Sequence, residues 1–127
     1  MKVQPLTSSL IIKKGLICND LIQTPEIYQN EGVIADLVVF ITTTYDSKST
    51  YIAAASSCVL NARNNRPIVG RLNYNLFDFA AKTKDVRIEA DIYTTMHELT
   101  HVLGFSYKLY PYYINPTTGA NLTGHIG

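Results

Sequence analysis

The residues with the most chemistry to offer are His97, Glu98 and His101, a complete H-E-x-x-H within Thr95-Met96-His97-Glu98-Leu99-Thr100-His101-Val102-Leu103-Gly104-Phe105. On a helix, residues four apart stand one turn above each other, so the two imidazoles can present nitrogens to one Zn²⁺. Glu98 is turned about 100° from His97. Its carboxylate then falls beside the metal rather than on it, where it can take a proton from a zinc-bound water.

That chemistry needs a helix. Ile92, Met96, Leu99 and Leu103 recur at steps of four, three and four, which predicts a helix packed on a core along that stripe, with the histidines flanking it. Asp85, Glu89 and Asp91 suit the positive end of the helix dipole, and Gly104 suits a left-handed stop. The helix is expected over about 85–103. Ahead of it, residues 37–44 are dense in β-branched and aromatic types without alternation, which predicts a central strand covered on both faces. Residues 68–74 alternate and predict another strand. Residues 51–60, rich in alanine and serine, fit a helix by propensity and a strand by their boundaries. Residues 1–30 read as irregular chain with a short strand near 10–12, and Asn30-Glu31-Gly32 as a turn. Arg63 and Arg66 read as solvated residues of a surface turn over 61–67.

At 127 residues the chain is one domain or a piece of one, with 46% hydrophobic residues and a formal charge of +1. That balance gives no basic footprint for nucleic acid. No apolar run approaches the roughly 20 residues of a membrane span, and residues 10–12 are too few for the apolar region of a signal peptide. Cys18 and Cys58 allow one disulfide or two free thiols, and neither lies in a C-x-x-C. Asn121-Leu122-Thr123 is a glycosylation sequon. Tyr107, Tyr110, Tyr112 and Tyr113 crowd the segment after Gly104; they read as loop packing, with an aromatic cleft wall as the other option.

A catalytic zinc takes three protein ligands and a water. In metzincins the third histidine would fall at position 107, which is Tyr107 here, and no Glu follows Glu98 and no Asp follows Asp91. Only His125, in a Gly/Thr-rich tail, remains downstream, and it reads as a solvated tail residue. The glycine after H-E-x-x-H-x-x, Phe105-Ser106, the two cysteines, Ala35-Asp36-Leu37-Val38-Val39 and Arg66-Pro67-Ile68-Val69-Gly70-Arg71-Leu72-Asn73 together resemble leishmanolysin-like metalloproteases, most closely the expanded sets found in ciliates.

The resemblance implies an α+β fold: a zincin-like N-terminal catalytic subdomain, with a twisted mixed sheet (about 8–75) packed on the active-site helix, then a tyrosine-rich loop and tail (105–127). In that family a long insertion separates the glycine from the third histidine, so the resemblance implies that this chain stops inside the insertion, and His125 does not take the ligand role. It further implies a Cys18–Cys58 disulfide and a secreted or cell-surface location, with any membrane association made through parts outside this chain.

The expected function is zinc-dependent endoproteolysis of protein or peptide substrates, with His97 and His101 on Zn²⁺ and Glu98 as general base. The competing expectations are an inactive surface or adhesion protein that keeps the scaffold, and an intracellular domain with a chance motif.

Overall fold

The computed structural model describes residues 10–12, 15–78 and 88–123. Three strands form its main sheet: β3 (Val38–Thr44), β4 (Ala53–Leu60) and β5 (Pro67–Asn75). Their order is β3-β5-β4, with β5 parallel to β3 and antiparallel to β4. Ahead of them lie a two-strand hairpin, β1 (Leu16–Ile17) and β2 (Ile22–Gln23), and a short helix α1 (Glu26–Asn30). A long helix α2 (Ile88–Leu103) and a 3₁₀ turn (Tyr110–Tyr112) follow. Helix, sheet and hairpin make a mixed α+β fold.

Residues 70, 72 and 74 of β5 share one face of the sheet, and α2 lies on that face over β4 and β5. Gly70 makes the close approach possible: a Cβ there would stand 2.2 Å from Val102 Cγ1. Opposite it in register, Ser57, Ala55 and Ala53 pair with Gly70, Leu72 and Tyr74. The alanine and serine content of 51–60 therefore belongs to a strand whose small side chains leave room for a helix. Val102 and Leu72 are buried at this contact.

The opposite face is apolar at Val69 and Phe40, which meets Tyr28, and polar beyond them. Arg71 donates from Nε to Thr42 Oγ1 (2.8 Å) and from Nη2 to Asn73 Oδ1 (2.9 Å), and Asn73 Nδ2 reaches Thr44 Oγ1 (3.1 Å) and Tyr51 Oη (3.2 Å). Thr42 and Thr44 thus serve as hydroxyl partners for β5. The expectation of a central, doubly covered strand there is corrected: among the described residues β3 is an edge strand, Ile41 is 69% exposed, and β5 is central. Helix α2 covers β4 and β5 and leaves β3 open on that face.

A second correction concerns α2. Three of the four residues in the stripe expected to pack on the core are open to solvent, Ile92 50%, Met96 58% and Leu103 61% exposed, while Leu99 is half-buried on the side of Thr95 and Val102. The face that meets the sheet carries Thr95 and Val102, with Tyr74 Oη and Thr95 Oγ1 2.6 Å apart. Spacing identified a helix, but the sheet selects which of its faces is covered. Residues 85–87 of the expected helix lie outside the described residues.

The segment read as irregular holds the hairpin and α1. Leu10 does not extend a strand but makes a single bridge with Val33. The hairpin turns through three successive left-handed residues, Cys18, Asn19 and Asp20 (φ 57°, 58° and 62°). Such conformations are costly for non-glycine residues. Cys18 is bonded to Cys58, which ties this turn to β4 and provides the expected disulfide.

Candidate metal site on helix α2

Helix α2 carries the H-E-x-x-H in its C-terminal half. His97 Nε2 and His101 Nε2 stand 3.2 Å apart, with ring centroids 4.8 Å apart and the rings nearly perpendicular. Two nitrogens each about 2.0–2.1 Å from a tetrahedral Zn²⁺ would be separated by about 3.3–3.4 Å. The pair is spaced for a single ion.

The His101 ring is held from behind. Its Nδ1 lies 2.7 Å from the carbonyl oxygen of Phe105. A carbonyl only accepts, so Nδ1 carries the proton and, in the neutral ring, Nε2 presents its lone pair outward. That is the tautomer a metal requires, fixed by an outer partner.

The helix terminus supplies this carbonyl. Gly104 adopts φ 134°, the Phe105 amide returns to Thr100 O (3.1 Å) and the Gly104 amide to His101 O (3.4 Å). This pair of reversed bonds is a Schellman cap with Gly104 at C′. The turn brings Phe105 O back over the last helical turn, where His101 meets it.

Glu98 is half-buried and has no hydrogen-bond partner among the described residues. At about 100° per residue it falls on the wheel between the histidines and the sheet-facing side marked by Val102. The exposed Ile92, Met96 and Leu103 occupy the other flank. Among the described residues, no third His, Cys, Asp or Glu joins the pair. Tyr107 is exposed, its ring 5.9 Å from Lys108 Nζ. His125 lies outside the described residues. Asn121 is exposed, and its backbone bridges to Ile114.

A cavity of about 400 Å³ opens past the helix end, lined in part by Arg66, Pro67, Leu103, Phe105, Leu109 and Tyr112. None of His97, Glu98 and His101 lines it. The contribution of Phe105 escapes a reading of the sequence, because a backbone carbonyl leaves no pattern.

The chain belongs to the leishmanolysin family, a family of zinc metalloproteases, whose family model matches residues 1–119. It is 32% identical over 105 residues to a leishmanolysin-like peptidase of Drosophila melanogaster, an alignment covering 76% of this chain and 15% of that protein. It is 36% identical over 66 residues to a leishmanolysin-like peptidase of Drosophila pseudoobscura pseudoobscura, covering 52% and 9%. The chain thus spans 15% or less of the length of these curated relatives.

Proposed function

We propose that this chain forms the zinc-binding helix and upper sheet of a zincin-like endopeptidase that hydrolyses peptide bonds in proteins. The observation that carries the reading is the 3.2 Å separation of His97 Nε2 and His101 Nε2, with the lone pair of His101 turned outward by its bond to Phe105 O. Membership of a metalloprotease family supports it.

In this reading His97 and His101 hold the ion through Nε2. Zn²⁺, when bound, supplies Lewis acidity towards the scissile carbonyl and its developing negative charge. Glu98 accepts a proton at its carboxylate from the attacking water and returns it to the departing amine. Its place between the imidazoles and the sheet suits both transfers. Strand β4 is the antiparallel edge of the sheet, and its outer side pairs with no strand among the described residues. An extended peptide would add there through backbone hydrogen bonds.

The Cys18–Cys58 disulfide supports a protein that works in an oxidising compartment, secreted or at the cell surface. Membrane association would come from parts other than this chain, since no described helix is long and apolar enough to cross a membrane.

The test is Glu98→Ala. The variant should bind Zn²⁺ as the parent does and lose about 10²–10⁴-fold in proteolytic rate, as expected when a general base is removed. Undiminished proteolysis would remove Glu98 from the mechanism. A second reading, a surface or adhesion protein that keeps the scaffold without hydrolysis, is favoured by the pair of ligands standing without a third among the described residues. Metal uptake without proteolysis in the parent protein would select it.

A further inference from the structure

Beyond the ligands and the base, we propose that Tyr113 is a positioning residue for the metal site, acting through the helix cap on the tautomer of His101; this rests on the metal-binding reading above. The Tyr113 hydroxyl donates to Gly104 O, and the same oxygen accepts the Ser106 amide at 2.8 Å. Gly104 is the left-handed residue of the cap, and the next carbonyl along is Phe105 O, the acceptor for His101 Nδ1. Fixing the Gly104 carbonyl fixes the peptide plane from which Phe105 departs. The phenol thereby determines where the His101 acceptor stands.

Tyr113 is itself anchored. Leu122 N donates to Tyr113 O (2.8 Å), the Tyr110 ring meets the Tyr113 ring edge-on at 5.5 Å, and Asn65 Nδ2 donates to Tyr112 O (2.9 Å). Asn65 sits in a left-handed conformation (φ 55°) in the turn that leads into β5. A continuous set of hydrogen bonds thus runs from the sheet, through the Tyr110–Tyr112 turn and the helix cap, to one imidazole. His97 has no such support among the described residues: its only recorded partner is His101. The pair is therefore asymmetric, with one ligand oriented in advance and the other free to follow the ion.

The experiment uses metal-free protein labelled with ¹⁵N-histidine, in which long-range proton–nitrogen correlation distinguishes Nδ1–H from Nε2–H rings, together with Co²⁺ titration. Parent His101 should be the Nδ1–H tautomer. Tyr113→Phe keeps the ring and removes the hydroxyl; the Nε2–H form of His101 should become populated and Co²⁺ affinity should fall about tenfold, the lower end of the range for an outer-partner substitution. Tyr110→Phe should change neither. A folded Tyr113→Phe with the parent tautomer overturns the proposal, whether or not its affinity falls. If Tyr113→Phe does not fold, Asn65→Ala is read by the same tautomer signal, and an unchanged signal there overturns it equally. Failure of the parent protein to take up Co²⁺ would sink the proposed function instead, while the tautomer signal would still decide the role of Tyr113.

Discussion

The two histidines of the site are alike in sequence and unlike in surroundings. His101 has its Nδ1 proton committed to Phe105 O, whereas His97 makes no hydrogen bond to any other described residue. In the proposed site, substituting either with alanine would remove a ligand, but the losses should differ. His101→Ala discards the oriented ligand and should cost more Co²⁺ affinity than His97→Ala, a ranking that calorimetric titration of both variants checks. Asp46 provides a pH-dependent contact away from this site. Its carboxylate accepts from the Ser49 hydroxyl and the Lys48 amide, which hold its pKa below the ordinary aspartate value. A depressed folded pKa means a contribution that is present above the unfolded value and lost as pH falls through the folded one. Hydrogen-exchange protection of the Lys48 amide should accordingly persist through the ordinary aspartate range and fall on acidification below it, and protection that stays constant far below that range would show that the carboxylate does not hold the turn. At this scale the approach of His97 and His101 was legible, because residues four apart on one helix meet without help from the rest of the chain.

Elements were legible where periodicity or residue type is strong, and misread where burial depends on a neighbour. The helix over the motif and the strand over 68–74 follow from their own patterns. Which side of α2 is covered does not, since Gly70 and the small residues of β4 draw in Val102 and leave Ile92, Met96 and Leu103 exposed. Gly70→Ala tests this contact. Its Cβ meets a stiff, fully buried valine, so the helix must lift, and unfolding free energy should drop by about 1–3 kcal/mol, read from denaturant titration. Asn75 tests the other end of β5. Fully buried, it accepts the Asp46 amide through Oδ1 and donates through Nδ2 to Asp46 O. Asn75→Ala strands both groups of the turn and should cost about 2–4 kcal/mol. The hairpin and α1 were illegible because strands of two residues and a helix of five are too short to display a period.

At the scale of the molecule, the disulfide links residues 40 apart and joins the left-handed turn to the sheet. A loop of that length constrains the unfolded chain enough to add about 4 kcal/mol in the chain-entropy estimate. Thermal unfolding in the presence of a reductant should move to lower temperature, and an unchanged midpoint would show the crosslink to be dispensable. The mixed α+β class came with the family resemblance, whereas the strand order was not legible, because sequence neighbours β3 and β4 are not neighbours in the sheet. That order governs when the sheet can exist. Among the described residues, strands β3 and β4 each pair only with β5, so neither has a partner there until the last of the three strands is in place. During synthesis the ribosome must release the chain through Asn75 before the first rung of this sheet can close. Until then two unpaired strands wait in the open, and the nascent protein has a defined interval in which a chaperone that binds extended segments would be of use.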